Sequence, residues 1–296
     1  MKKRIFYFAV LSLFLIFSNT YIFAQDGKIP FEFLDSGHIL IRAVVEDSIN
    51  GNFVFDTGAG IHAFSKKFSD RINKKNTGFF TAFRSNGERL GLDIYTISSI
   101  GIGNTVERNP YICVWEALDN LGIDGIISLK LFEKQPFTLN FINKTIIVES
   151  PESLEKLSGK GITVPLELQV YRDKAIDIFA KFRLNDKVTA ELEIDTGAGK
   201  GILIDARYMK ILGIDSTSAS VKKIESKSIT GVSEISYKTS INKIVLSGSP
   251  GISLSNPSVT FEKDLIYDGL IGVEFMLDKE VTIDIPGKRM IINTVN

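Results

Sequence analysis

The sequence predicts an all-β protein built from two similar lobes, and two observations lead to this prediction. The motif Asp-Thr-Gly-Ala-Gly occurs at 56–60 and recurs unchanged at 195–199. Short segments rich in β-branched and apolar residues, typical of strands, lie at 39–45 and 175–180. Segment 188–194 alternates apolar and polar residues and leads directly into the second motif, which is the pattern of a half-buried strand.

Shorter elements are predicted between these strands. Segments 79–88 and 226–236 are candidate hairpins, and Asn86-Gly87 is the stronger turn signal of the two. Long helical periodicity is absent, so the helices are expected to be few and short, at 63–71 and 205–212.

The repeat extends beyond the five-residue motif. Matching elements occur in the same order and at nearly the same spacing in both halves: 29–33 with 164–168, 86–87 with 230–231, 109–110 with 256–257, 124–128 with 268–272, and 137–141 with 281–285. Such self-similarity indicates a duplicated unit. The polar stretch at 150–161, which has Pro near one end and Gly at the other, has the composition of a linker. We therefore expect one lobe at 25–157 and the other at 158–296.

Composition excludes several classes of function. The formal net charge is zero, with 35 Lys and Arg against 35 Asp and Glu, so no basic surface indicates a nucleic-acid partner. Cys113, the single cysteine, lies in an apolar stretch and cannot form an internal disulfide. The two histidines do not have the spacing of the common zinc motifs. We expect no metal and no cofactor.

The N-terminal segment is predicted to be a signal peptide rather than part of the fold. Lys2-Lys3-Arg4 precedes an apolar run at 5–17, which is shorter than the roughly 20 residues that span a bilayer. Cleavage after Ala24 would give an exported protein, periplasmic or secreted, with no stable membrane insertion. An uncleaved anchor is the alternative.

The repeated motif places a carboxylate at the end of an apolar strand in each half. One copy alone would be compatible with an ordinary turn. Two equivalent copies suggest that the lobes pack about a pseudo-twofold axis, on which Asp56 and Asp195 would meet. Two carboxyl groups in contact share a proton. The ionised one can take a proton from water while the other polarises a carbonyl group, which suffices to hydrolyse an amide.

These motifs resemble those of the aspartic peptidases, the pepsin-like and retropepsin-like superfamily. The resemblance covers nearly the whole chain after residue 24, and it includes the later apolar-apolar-Gly element Leu270-Ile271-Gly272. The first half departs from the family at Ser128, where the family has Gly. The resemblance implies two acid-protease-like β-barrel lobes with a catalytic pair, Asp56 and Asp195. It also implies supporting roles for four residues of the active-site loops: Thr57, Gly58, Thr196 and Gly197.

The resemblance further implies a flap that closes over an extended polypeptide substrate. The candidate flap residues are Ser85, Asn86, Gly87, Thr230 and Gly231. A monomer is expected, because each lobe supplies one aspartate. The predicted function is therefore that of an aspartic endopeptidase.

Besides a dedicated processing enzyme with one protein target, which would look inactive on generic substrates, two other interpretations remain. One is a catalytically weak or inactive peptide-binding protein of the same fold in the cell envelope, because a fold does not establish activity. The other is nucleotide binding, since 58–63 formally satisfies the G-x-G-x-x-G/A fingerprint. The second is disfavoured because no βαβ pattern follows this segment.

Overall fold

The computed structural model describes residues 27–227, 231 and 233–294. The predicted signal peptide at 1–24 therefore lies outside the described residues. The strands of the first half are β1 (Lys28–Pro30), β2 (Glu32–Phe33), β3 (Ile39–Val45), β4 (Ile49–Asp56), β5 (His62–Phe64), β6 (Lys75–Phe83), β7 (Arg89–Thr96), β8 (Ser99–Ile102), β9 (Thr105–Arg108), β10 (Tyr111–Val114), β11 (Gly125–Ser128), β12 (Phe137–Asn140) and β13 (Thr145–Val148).

The strands of the second half follow in the same order. They are β14 (Ile162–Pro165), β15 (Glu167–Tyr171), β16 (Ala175–Leu184), β17 (Val188–Ile194), β18 (Ile202–Asp205), β19 (Lys222–Lys227), β20 (Ser233–Ser240), β21 (Lys243–Leu246), β22 (Ser253–Ser255), β23 (Ser258–Glu262), β24 (Gly269–Ile271), β25 (Lys279–Asp284) and β26 (Arg289–Thr294).

Each half forms a sheet with the same strand order. Among the described residues the first sheet has ten strands in the order β6-β7-β10-β5-β11-β4-β3-β8-β9, with β2 paired to β3. The second sheet, also of ten strands in the described chain, runs β19-β20-β23-β18-β24-β17-β16-β21-β22, with β15 paired to β16. In both sheets the strand that ends at the Asp-Thr-Gly motif pairs in parallel with the later apolar strand. The predicted all-β fold of two similar lobes is confirmed.

A third sheet joins the two lobes. Its described strands run β1-β13-β12-β25-β26-β14, so that β12 of one lobe pairs with β25 of the other at its centre. Thr138 lies opposite Thr282 in this pair, with their hydroxyl oxygens 2.7 Å apart. Because these two threonines are equivalent positions of the repeat, the pseudo-twofold axis passes between them.

Equivalent hydrogen bonds confirm the repeat at the level of single residues. Asp124 Oδ2 accepts from the backbone N–H of Asn52 (2.7 Å), and Asp268 Oδ2 accepts from that of Glu191 (2.9 Å). The Asn-Pro pairs match as well, since the asparagines at 109 and 256 both have a positive φ, 53° and 51°. Asparagine tolerates this left-handed conformation better than most residues.

Helices are few, as predicted. In the described chain they are α1 (Lys66–Ser69), α2 (Pro151–Lys160) and α3 (Arg207–Leu212), with single-turn 3-10 segments at Glu116–Asn120, Leu129–Phe132, Thr196–Ala198 and Val273–Phe275. The stretch predicted as a linker is thus largely helical. Ser150 and Ser153 form a capping box at the start of α2, and Pro151 suits a first helical turn. The predicted lobe boundary at 157/158 falls inside this helix and stays a prediction.

The hydrophobic core is shared by both lobes. One buried cluster runs from Ile29 to Ile292 through the two large sheets and the joining sheet. A smaller cluster of Ile61, Ala63, Cys113 and Leu118 lies apart from it, in the first lobe. Within the described residues, no helix has the length and apolar character needed to cross a membrane.

Candidate active site

The structure brings Asp56 and Asp195 together. Asp56 is the last residue of β4, and Asp195 follows β17 directly. These strands are equivalent in the two lobes, so the pseudo-twofold axis places their carboxyl groups within hydrogen-bonding reach of each other. Both carboxyl groups border one cavity of about 580 Å³.

The two motif threonines lock the lobes together beneath the carboxyl groups. Thr57 Oγ1 donates to the carbonyl oxygen of Ile194 (2.6 Å), and Thr196 Oγ1 donates to that of Phe55 (2.8 Å). Each hydroxyl also accepts from the other threonine's backbone N–H, at 3.0 Å in both cases. Both side chains are fully buried. These four bonds hold the ends of β4 and β17 in register across the lobe junction.

The motif glycines allow the two loops to approach. A Cβ atom on Gly58 would lie closer than 3.0 Å to the carboxyl group of Asp195, and one on Gly197 would clash in the same way with Asp56. Each glycine N–H donates to the aspartate of its own motif, at 2.9 Å for Gly58 and 2.7 Å for Gly197. The glycines therefore position the aspartates of both lobes.

Burial makes the pair a proton-sharing unit. Loss of solvation raises the pKa of Asp56, while its hydrogen bond with Asp195 acts in the opposite direction. Burial, followed by the charge of Asp56, raises the pKa of Asp195 well above its ordinary value. The two carboxyl groups therefore share one proton, because two adjacent carboxylates repel each other.

His38 is a neighbour of the pair that the sequence did not single out. Its Nε2 donates to the carbonyl oxygen of Gly197 (2.8 Å), and its Nδ1 lies 2.7 Å from Ser36 Oγ. The interaction of His38 with Asp56 lowers the pKa of that carboxyl group, although burial outweighs it. His38 thus links a first-lobe loop to the second motif.

Ser128 occupies a position where a glycine was expected, and the structure compensates for it. In the second lobe the backbone N–H of Gly272 donates to the carbonyl oxygen of Gly201 (2.8 Å). In the first lobe the N–H of Ser128 donates to Nδ1 of His62 instead (3.0 Å). His62 lies six residues after Asp56, as Gly201 does after Asp195. An imidazole ring therefore replaces a backbone carbonyl group, and His62 has a structural role.

The first-lobe flap candidates lie over the cavity. The hairpin of β6 and β7 turns at 84–88, and Ser85 borders the cavity. The carbonyl oxygen of Ser85 accepts from the N–H of Ile266 (2.9 Å), and the Asn86 amide donates to Glu234, both in the second lobe. Gly87 adopts φ = 77° at the turn, which glycine adopts readily. The hairpin thus spans the cleft and is docked on the opposite lobe.

The second-lobe flap candidates have a different environment. Thr230 lies outside the described residues. Gly231 is exposed and has a φ of 89°, and apart from its chain neighbours no atom of the described residues lies within 4 Å of the position where a Cβ would be. It does not border the cavity.

Two further carboxyl groups lie near the pair and were missed in the sequence. Burial and the charge of Asp56 raise the pKa of Asp177 to about 6. Burial and the nearby carboxylates raise the pKa of Glu193 well above its ordinary value. A signal for Glu193 was present: it is an acidic residue two positions before the motif aspartate, where the first copy has Val54. Even so, no group of three or more His, Cys, Asp or Glu side chains in the described chain could hold a metal ion.

The comparisons identify the fold as acid-protease-like. The chain is similar to the solved structure of a protein named EDGP, with 12% sequence identity and a TM-score of 0.50 over 90% of this chain and 94% of that chain. It is likewise similar to the solved structure of basic 7S globulin from soybean, with 10% identity and a TM-score of 0.50 over 91% of this chain and 95% of that chain. At these identities the similarity shows the fold alone. No family model and no curated protein sequence matches the chain.

Proposed function

We propose that the protein is an aspartic endopeptidase in which Asp56 and Asp195 activate a water molecule for attack on a peptide bond. The observation that carries this proposal is the meeting of the two carboxyl groups in a cavity of about 580 Å³ beneath a docked hairpin. Residues of both lobes line the cavity, and its walls are partly apolar and partly polar, which suits a peptide substrate.

The proposed reaction uses one ionised and one protonated carboxyl group. Asp56 takes a proton from water as the water oxygen bonds to the carbonyl carbon, and the proton of Asp195 moves to the carbonyl oxygen. The resulting tetrahedral intermediate breaks down when Asp56 returns its proton to the amide nitrogen and the C–N bond breaks. One hydroxyl proton then moves to Asp195, which restores the starting state of the pair.

Hydrolysis of a denatured protein tests this proposal. The wild type should produce new N-termini, and Asp56→Asn and Asp195→Asn should each reduce the rate by about 10²–10⁴-fold, because each removes one of the two proton-transferring groups. Asp35→Asn, which changes an exposed aspartate, is the matched control and should keep the wild-type rate. Equal rates in the wild type and Asp56→Asn would refute the proposal.

A peptide-binding protein without turnover is the second candidate. The similarity to EDGP and basic 7S globulin shows the fold alone, which is compatible with this alternative. The described chain has both aspartates and both interlocking threonines, which favours the enzyme. Incubation with an envelope extract, followed by mapping of new termini, separates a processing enzyme with one target from a binder, which would retain peptides without cutting them.

We also propose that residues 1–24 direct export. The basic start and short apolar run of this segment support the proposal. Mass spectrometry of the protein from the exported fraction should find Gln25 as the first residue. A full-length chain confined to the cytoplasm would contradict the proposal.

A further inference from the structure

The two walls of the cleft are equivalent in the fold but differ in chemistry. Val54 and Glu193 each lie two residues before the aspartate of their lobe. Val54 pairs with Ile126 on the neighbouring parallel strand, and Glu193 pairs in the same way with Leu270. All four residues border the cavity. The pseudo-twofold axis therefore places a valine on one side of the catalytic pair and a glutamate on the other.

The first-lobe wall is largely apolar, although Ser36, His38, Arg84 and Ser85 also border the cavity from this lobe. The side chains that border the cavity from this side are contributed mainly by the smaller hydrophobic cluster and by the residues packed against it: Ile61, Leu92, Trp115, Leu118, Ile123 and Ile126. A wall of this kind favours a large apolar side chain, since burial stabilises by about 25 cal/mol per Å² of apolar surface.

The second-lobe wall is acidic and lacks a counter-ion. Glu193 is only 3% exposed and borders the cavity. Within the described chain its side chain has no hydrogen-bond partner, and every charged group that acts on it is another carboxyl group: Asp195, Asp177 or Asp56. Tyr267 borders the cavity beside it, with its ring edge-on to Phe179 at 4.9 Å.

We propose that Glu193 and Tyr267 form a subsite for a cationic side chain, lysine or arginine, next to the scissile bond. A bound ammonium or guanidinium group would supply the counter-ion that Glu193 lacks, and the Tyr267 ring would cover its aliphatic part. The opposite wall takes a large apolar residue. The preferred substrates therefore have an apolar residue on one side of the cleaved bond and a basic residue on the other.

This inference rests on the proposed function, because it assigns a substrate class to the same cleft. It differs from a general acidic attraction, since Glu193 is buried. A neutral side chain of equal length leaves the buried carboxyl group unpaired, so the subsite discriminates against the neutral side chain as well as binding the cation.

Cleavage of matched peptides tests the subsite. Blocked peptides of about eight residues would differ at one position beside the cleaved bond, carrying lysine, arginine or norleucine. With the wild type we expect kcat/KM for lysine and arginine to exceed that for norleucine by about tenfold or more. Glu193→Gln should remove this ratio, and Glu193→Val, which copies the first lobe, should reverse it.

Glu191→Gln is the matched control, because Glu191 lies on the same strand but does not border the cavity. It should keep the wild-type ratio. If cleavage depends on Asp56 and the ratio is equal in the wild type and Glu193→Gln, the subsite is wrong and the proposed function stands.

A binding measurement keeps the inference testable if no Asp56-dependent cleavage is found. Calorimetric titration would compare the lysine and norleucine peptides on the folded wild type and Glu193→Gln. A preference for lysine that Glu193→Gln abolishes would support the subsite in a non-catalytic protein. Equal affinities for the two peptides would overturn it.

Discussion

Asp177 should make the stability of this protein depend on pH. The residue lies on β16, and a Cβ on Gly60 would come within 3.2 Å of its Oδ1. Burial, and then the charge of Asp56, raises the pKa of Asp177 from 3.8 to about 6. One pKa unit corresponds to 1.36 kcal/mol, so this difference of about two units corresponds to about 3 kcal/mol of unfolding free energy.

The sign follows from which state binds the proton more tightly. The folded state does, because its pKa for Asp177 is the higher one. Below the ordinary value of 3.8 both states are protonated, and Asp177 costs no stability. As the pH rises from there to about 6, the unfolded state ionises first and the folded state loses stability. Above that range the cost is constant at about 3 kcal/mol.

Asp177→Asn removes this titration, and denaturant unfolding of the wild type and the variant across this pH range measures the effect. The difference in unfolding free energy between the variant and the wild type should increase by about 3 kcal/mol, in favour of the variant, when the pH is raised from about 4 to about 8. On an Asp56→Asn background the gain should shrink without disappearing, because burial is the larger cause. Asp35→Asn, at an exposed position, should change the unfolding free energy by less than about 0.5 kcal/mol. A gain for Asp177→Asn that is the same at both pH values would refute the reasoning.

Three further predictions concern the lobe junction, the flap and the cysteine. Thr196→Val leaves the buried N–H of Thr57 and the buried carbonyl group of Phe55 unpaired, so it should lower the unfolding free energy by about 2–6 kcal/mol. Thr189→Val, at an exposed position on β17, is the control and should change the unfolding free energy by less than about 0.5 kcal/mol. Equal effects of the two variants would contradict the role of the threonine hydrogen bonds in joining the lobes. Glu234→Ala removes the acceptor of the Asn86 amide, so it should speed amide hydrogen exchange in the candidate flap hairpin at 79–90 by about 2–10-fold. Unchanged exchange would show that this contact does not hold the hairpin against the second lobe. Cys113 is 1% exposed and burial raises its thiol pKa to about 12, so a disulfide reagent at about pH 8 should modify it only on unfolding; rapid reaction of the folded protein would be incompatible with this burial.

The repeat was readable from the sequence because each half must form the same local structure. Strand β17 (Val188–Ile194) has the bounds that its alternating pattern predicted, and β3 (Ile39–Val45) matches its predicted range. Period-two alternation reports directly which face of a strand is buried. The helix at Pro151–Lys160 was not predicted, because a polar stretch that begins with Pro is typical of a linker as well as of an exposed helix. Its capping box involves Ser153 at a position where Glu or Gln is the usual signal.

The surroundings of the aspartate pair were less predictable, because contacts between the lobes join residues far apart in sequence. Nothing local indicates that the ring of His62 replaces the carbonyl group of Gly201, or that His38 reaches Gly197 across the junction. The contact of the candidate flap hairpin with Glu234 could likewise not be predicted, since side-chain contacts between lobes leave no periodic pattern.

The sequence by itself determined that two Asp-Thr-Gly motifs end equivalent strands of a duplicated β protein, because strand patterns and tight turns depend on neighbouring residues. Only the tertiary structure decided what surrounds those motifs. The pseudo-twofold axis makes the backbones of the two lobes equivalent, but it does not make their side chains equal. Val54 is apolar, whereas Glu193 is a buried acid without a partner among the described residues. Only the folded chain places these two residues on opposite walls of the same cavity. The physical reason is that burial and electrostatic interactions depend on distances in space, which the folded chain alone defines.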